Sequence, residues 1–434
     1  MRVRLDQEAN SRLPLRPAST TQRSTTSDKN IKGLKASLLI PGRGEPIKNG
    51  ALVIDGPKIA WVGEQSAIPT KYQDIVFNEV PVLMPGLWDC HTHFGGMDVE
   101  DDNTQMFFGS AALQGARAAK ELETTLMAGF TTIREVGGIA GEIWPAIKKG
   151  TLVGPNVYSS IGVLGITGGH SDLHNLPIEV VTARRSTGAF VVCDGVSECV
   201  KTVRLMVRRG ATLIKICATG GVGSLLDDPE DAQFSPEEIK AMVDEAARTK
   251  RIVAAHCHGK EGIMNALNNG VRTIEHGSYL DEEVAALMKE KDAIFVSTRL
   301  IVEEGLKNPK IFPPSGYQKL LKISEAHKKA YALAIRSGVK VVLGTDWEAG
   351  ENGKELAYAV KAGMTPLEAI EASTARCPET LGSHFAPLSG QLKEGYDADV
   401  IAVASNPLVD INVLGEPEKI THVWKGGKLY KGSL

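Results

Sequence analysis

Six residues of this 434-residue chain carry side chains suited to divalent metals, and all six lie in or at the end of apolar runs: His91, His93, Lys215, His256, His276 and Asp346. His91 and His93 end the run that follows Pro85. Lys215 sits inside ATLIKICA, His256 ends RIVAAH, His276 ends VRTIEH and Asp346 ends VKVVLGTD. The period of 2 along a strand puts His91 and His93 on one side, so both can reach one ion. Singly the signals are weak. Ten His in 434 residues give about 0.2 His-x-His pairs by chance. A lone His at a strand end is commonly a hydrogen-bonded structural residue, and a lone Asp after Gly-Thr is commonly a helix N-cap. Lys215 is the least ordinary, because a buried ammonium without a partner is costly; the alternative is a side chain that snorkels at a strand end. Together, four imidazoles, one carboxylate and one lysine suggest two divalent ions, and such donors suit zinc and its first-row neighbours. A protonated lysine would repel cations. A desolvated neutral one can take up carbon dioxide as a carbamate, an anionic two-oxygen bridge able to span ions roughly 3.5–4 Å apart.

The elements that must position these residues are legible from periodicity. From Leu34 the pattern is of short β-branched runs broken by Gly and Pro, and the C-terminal end (GYDADVIAVAS, ITHVWKGGKLYKG) reads the same way. Neither end can hold a core alone, so residues 30–83 and 388–434 are expected to combine into one small β-sandwich. Between them, residues 84–387 alternate strand and helix. Val200, Val203, Met206 and Val207 form a helical stripe closed by Gly210, while Ser235, Pro236 and Glu238 spell an N-cap, an N1 proline and a capping box. Asp281 and the Thr365–Pro366–Glu368 set open two further helices, and another is expected around 324–337. Near-continuous apolar strands between helices mean a parallel sheet covered by helices. With strands at about 86–91, 130–135 and 156–160 the count reaches eight, which predicts a (β/α)8 TIM barrel. The six candidate residues then fall on five strands at the C-terminal rim, where barrel active sites form. A doubly wound open sheet is the alternative, but it would normally carry a Gly-x-Gly-x-x-Gly turn after its first strand, and the sequence has none there.

Composition narrows the function classes. Forty-nine Lys+Arg against 52 Asp+Glu leave a formal charge of −3, so no basic surface points to nucleic acid. No apolar run approaches a membrane span, and six Cys are too few for a disulfide scaffold. Residues 1–29, with many Ser and Thr and no apolar period, read as a disordered arm. A transit peptide would share the Arg and Ser but avoid acids such as Asp6 and Glu8. Without an apolar signal core a cytoplasmic location is expected. Cys90 and Cys257 adjoin candidate ligands but point to the opposite strand face, as small packing residues do. Forty-five Gly exceed the average of roughly 7%, and many lie in FGG, VGG, TGGH and ATGGVG.

The chain resembles the amidohydrolase superfamily over about residues 32–434, in the subgroup with two metals and a carbamylated lysine. The resemblance rests on VLMPGLWDCHTHFGG, GFTTIREVGG, IKICATGGV, AAHCHG, TIEHGSYLD, LGTD, GMTPLEAIEASTA and GQLKEGYDADVIAV. Within the superfamily it is similar to ochratoxinase and to Xaa-Pro dipeptidase- and imidazolonepropionase-like members. Glu135 departs from the pattern, standing where many relatives have Asp. The resemblance implies that His91, His93 and Asp346 hold one ion and His256 and His276 the other, with Lys215 as carbamate bridging both. It implies attack of a metal-bridging hydroxide on an amide carbonyl, with Asp346 moving the proton to the leaving amine. The expected substrate is a small molecule: an N-acyl amino acid, a dipeptide or an ochratoxin A-like amide that releases a C-terminal amino acid. A cyclic-amide hydrolase, a strict Xaa-Pro dipeptidase and a non-catalytic assembly protein are the alternatives. Homo-oligomers are common among the relatives. His170 and His258 are expected to recognise a carbonyl or a substrate carboxylate, or else to support the ligands by hydrogen bonds. Arg299 is placed to pair with a substrate carboxylate. The segment Glu303–Leu320 reads as a long loop able to wall the site.

Overall fold

The structure is a computed structural model that describes residues 31–95 and 109–433; the arm expected at 1–29 lies outside the described residues. The chain enters through four β-strands, β1 (Ile31–Leu39), β2 (Ile47–Asp55), β3 (Lys58–Glu64) and β4 (Phe77–Pro85). β1 pairs antiparallel with β2 and parallel with β4. A single residue, Gly86, separates β4 from the next strand, so the first candidate ligands are anchored directly to this sheet.

Among the described residues, ten parallel strands come next. β5 (Leu87–Thr92), β6 (Phe130–Glu135) and β7 (Asn156–Ser159) form one sheet. β8 (Val163–Gly165), β9 (Phe190–Val192), β10 (Ile214–Cys217), β11 (Val253–Cys257), β12 (Thr273–His276), β13 (Ile294–Val296) and β14 (Lys340–Val342) form another, in the order β14-β13-β12-β11-β10-β8-β9. β5, β6 and β10 to β13 are buried along their whole length, as parallel strands covered by helices must be. The architecture is of the α/β, TIM-barrel-like kind. Hydrogen bonds also join β5 to the segment after β14, Cys90 N to Leu343 O at 3.1 Å and Asp346 N to His91 O at 2.8 Å, and the end of β7 to the residues before β10, Thr212 N to Ser159 O at 2.8 Å.

The helices begin where their caps say. Ser235 and Glu238 close a reciprocal capping box on Pro236–Arg248, Thr365 and Glu368 do so on Pro366–Ala372, and Asp281 caps Glu282–Glu290. The helix Val196–Arg209 buries Cys199, Thr202, Val203 and Met206, a stripe rotated slightly from the expected one. The helix expected around 324–337 spans Pro314–Arg336, and the expected long loop before it is mostly helical, with Arg299–Lys307 and a short 3-10 turn at Pro309–Ile311. Pro at the first helical positions supports both starts.

The last strands, β15 (Val400–Val403), β16 (Ile420–Lys425) and β17 (Lys428–Lys431), return to the first sheet. The ladder β17-β16-β15-β4-β1-β2-β3 is continuous, where a sandwich of two sheets was expected. The reason is β4, which bonds β1 on one side and β15 on the other. Leu34, Leu52 and Ile54 from the N-terminal strands share one buried cluster with Val400 and Trp424 from the C-terminal ones. Each such side chain contributes about 1.5–3 kcal/mol when fully buried, and these are buried only when both chain ends are present.

Candidate functional site

His91 and His93 leave β5 with fixed tautomers. His91 Nδ1 lies 2.8 Å from a carboxylate oxygen of Glu275, and His93 Nδ1 lies 2.7 Å from the Gly137 carbonyl. Both partners accept only, so each Nδ1 carries the hydrogen and each Nε2 presents a lone pair. The two Nε2 atoms face one another at 3.3 Å, and Asp346 Oδ1 lies 3.4 Å from the second and 3.8 Å from the first. Two lone pairs and a carboxylate oxygen turned on one point repel unless a cation sits between them, so the donor set fits a metal. Among the described residues, His91, His93 and Asp346 can bring one ligand atom each within 4.8 Å of one another.

The other candidates stand beside this trio. The His276 ring lies 4.8 Å from that of His91 and 4.6 Å from that of His256, centroid to centroid. His256 Nε2 donates to the Gly220 carbonyl at 3.1 Å, leaving Nδ1 as its free nitrogen, and His276 Nδ1 meets the Thr298 hydroxyl at 2.8 Å, leaving Nε2. Lys215 is buried, with no hydrogen bond or ion pair among the described residues. Burial lowers its pKa, against the pull of Glu275 and Asp346. Burial likewise holds His91, His256 and His276 well below the usual imidazole range, while it pushes Asp346 up to about 7. Neutral imidazoles and a neutral amine are the forms that bind metals and carbon dioxide. His276 and Asp346 both adopt the left-handed backbone region, at φ 67° and 53°, as does Thr298 at 108°. Such conformations persist where surrounding contacts over-determine them.

Those contacts include residues that sequence reasoning passed over. Arg134, on β6, donates through Nη2 to both oxygens of Glu275 on β12 at 2.8 and 2.6 Å and through Nε to Cys90 O at 2.6 Å, all beneath the histidines. Asp89 accepts from His91 N at 3.0 Å, Thr345 N at 3.1 Å and Asn352 Nδ2 at 2.7 Å, tying β5 to the segment that carries Asp346. Glu355 accepts from Ser297 Oγ and from the backbone N–H groups of Arg299 and Leu300, which holds the turn that presents Thr298 to His276. Buried Arg and Glu inside TIREVGG and TIEHG were the available sequence signals. Glu135 accepts from Ala140 N, Gly141 N and Ser159 Oγ, so it caps the helix Ala140–Lys148 and touches none of the candidate ligands.

One cavity of about 1120 Å³ gathers all six candidate ligands together with His170 and His258. His170 Nδ1 bonds Ser224 Oγ at 2.8 Å and its ring stacks on His256 at 4.2 Å; His258 Nδ1 bonds Ser278 Oγ at 2.7 Å. Phe94, Phe190, Ile301, Phe312 and Trp347 give the cavity apolar walls. Phe312 comes from the short connection between the helices Arg299–Lys307 and Pro314–Arg336, so the segment read as a loop does wall the site. Arg299 does not line the cavity. Its guanidinium is held by Glu303 at 2.7 and 2.9 Å and by Ser324 O at 2.7 Å, so the expected pairing with a substrate carboxylate is corrected: the side chain is already paired with a carboxylate of the protein.

Comparison with known proteins adds independent findings. A model described as the Amidohydrolase family matches residues 82–430. Ochratoxinase from Aspergillus niger is 48% identical over 425 residues, which cover 94% of this chain and 88% of that protein. Its crystal structure superposes with a TM-score of 0.88, covering 93% of this chain and 96% of that one. The crystal structure of a Xaa-Pro dipeptidase with bound methionine in the active site is 30% identical, with a TM-score of 0.83 over 93% of this chain and all of that one. Imidazolonepropionase from Paracoccus denitrificans is 24% identical, over 82% of this chain and 87% of that protein.

Proposed function

The chain belongs to the amidohydrolase family, and on that footing we propose that it hydrolyses a small-molecule amide and releases a C-terminal amino acid. The observation that carries this reading is the convergence of His91 Nε2, His93 Nε2 and Asp346 Oδ1 beside buried Lys215 in one cavity. In this reading His91, His93 and Asp346 would hold one divalent ion and His256 and His276 a second, with Lys215 available to both. In its neutral form the Lys215 amine would add to carbon dioxide, forming an N–C bond and releasing one proton, which would replace an unpartnered buried amine by an anion able to pair with such ions. Zinc suits the imidazole and carboxylate donors. Bound there, such ions would supply an acidified water and a polarised scissile carbonyl.

The protein's own side chains do the rest. Asp346 accepts a proton from the attacking water and returns it to the leaving nitrogen, so that water is added across the C–N bond. His170 and His258, with their Nδ1 atoms engaged by hydroxyls, offer Nε2 to substrate oxygens. The apolar walls suit an aromatic or aliphatic acyl group, and the relatives' names make N-acyl amino acids, dipeptides and ochratoxin A the first substrates to try. Closure of the two parallel sheets into one (β/α)8 barrel, assembly as a homo-oligomer and a cytoplasmic location belong to the same proposal. No helix among the described residues is long and apolar enough to cross a membrane.

The test is amino-acid release from N-acyl amino acids, Xaa-Pro dipeptides and ochratoxin A, before and after chelation. Release that disappears with the metal and returns on adding zinc is the expected result. Full activity in metal-free protein would overturn the metal role, and turnover of cyclic amides alone would replace the substrate class.

A further inference from the structure

His327 is wholly buried in the helix Pro314–Arg336, lines the cavity, and has no hydrogen-bond partner at Nε2. Its other nitrogen, Nδ1, lies 3.4 Å from Arg299 Nη1. A guanidinium can only donate, so Nδ1 is the acceptor and the ring hydrogen sits on Nε2. A second proton on Nδ1 would face the guanidinium head-on, so the ring stays neutral. The charge behind it is balanced as well, because Glu303 Oε1 lies 2.7 Å from Arg299 Nη2. The result is one neutral, oriented N–H donor on a residue that lines the cavity, which also takes in His258 and His276 and the apolar Ile301, Val302, Phe312, Leu320 and Ile323. A buried donor left unpaired is unfavourable by itself, and a ligand oxygen relieves it.

We propose that His327 is a substrate-binding residue whose Nε2–H donates to a single neutral oxygen, a carbonyl or hydroxyl, on a ring-sized apolar part of the substrate. Because Glu303 neutralises Arg299, the donor itself offers a carboxylate no ion pair, whereas a neutral oxygen gives up less hydration to reach it. Arg299 is the positioning residue, fixing the tautomer and the ring plane. The inference rests on the reading that the cavity holds an amide substrate, and names the feature by which that substrate is selected.

The test uses the full-length, metal-loaded protein and two readouts. Calorimetry measures binding of paired aromatic acids that carry or lack one ring carbonyl or hydroxyl. Kinetics measure kcat/KM for N-acyl amino acids with the same oxygen placed either on the acyl group or on the amino-acid side chain. In the wild type, one series is expected to favour the oxygen-bearing member about 10-fold, the discrimination of one buried hydrogen bond. His327→Phe should bring that ratio to about 1 with metal content retained. His327→Gln, which keeps a donor, should recover part of it. Arg299→Met should lower the ratio mainly through KM. An unchanged ratio in folded His327→Phe, a His327→Gln ratio no higher than that of His327→Phe, or a wild type that discriminates in neither series, overturns the inference. If no amide is cut but calorimetry still shows the His327-dependent difference, the amide reading fails and the binding site stands.

Discussion

In the proposed reaction Asp346 would combine two duties, completing the ligand trio and carrying the proton from water to the leaving nitrogen. Asp346→Asn should reduce turnover by roughly 10²–10⁴-fold, the usual scale for a lost general base, while the protein keeps some metal by elemental analysis; near-native turnover would defeat the role. Gly344 offers a subtler probe. A Cβ there would stand 2.6 Å from His91 Cβ and 2.8 Å from His91 N. Gly344→Ala should therefore displace His91 and lower metal occupancy in equilibrium dialysis without touching any ligand atom, and undiminished occupancy would mean the backbone yields instead. At this scale the six candidate ligands were legible because polar groups inside apolar runs demand an explanation. Arg299 misled for the opposite reason: its type suits a carboxylate, but its partners Glu303 and Ser324 are set by how two helices pack. His327 carried no signal at all, since a lone His on a helix reads as ordinary core.

Among the elements, the helix Ala140–Lys148 is capped by the strand that precedes it. Its N-cap position is Ile139, which has no capping side chain, and Glu135 from the end of β6 accepts the first N–H groups instead. Glu135→Ala should cost about 1–2 kcal/mol in chemical denaturation, within the range for lost caps. Burial pushes Glu135 up to about 7 from an ordinary 4.5, against the hydrogen bonds that pull it down. Between those values the folded protein binds more protons than the unfolded chain, so this group's contribution to stability is present below 4.5 and is lost as pH rises toward 7. Glu135→Gln should flatten the stability profile over that window relative to the wild type, and parallel profiles would refute the shift. The sequence announced the capping boxes at Ser235 and Thr365 because both partners lie three residues apart. It could not announce a cap delivered from a neighbouring strand, nor β8 and β9, whose three residues are too few to show a period.

At the scale of the whole molecule, the first sheet makes the two chain ends interdependent. Deleting residues 388–434 removes β15 to β17, strips β4 of one of its two partners and exposes Leu34, Leu52 and Ile54. The truncated chain should be insoluble, and a soluble, monodisperse product would contradict that dependence. Metal should stabilise the intact protein by mass action, by about 4 kcal/mol at a thousandfold excess over Kd; a melting temperature unmoved by chelation would oppose ion binding in the folded state. Periodicity foretold that the ends associate, but not that they share one ladder, because which edge β15 takes depends on backbone pairing with β4 rather than on pattern. The tie between Asp89 and Thr345 spans 256 residues. At a synthesis rate of 5–20 residues per second, the ribosome needs about 13–50 s to travel that distance. For that interval His91 and His93 are already made while Asp346 is not, so the trio cannot hold its ion on the nascent chain. Any ion this trio takes up would therefore be loaded onto a nearly finished polypeptide, after most of it has left the ribosome.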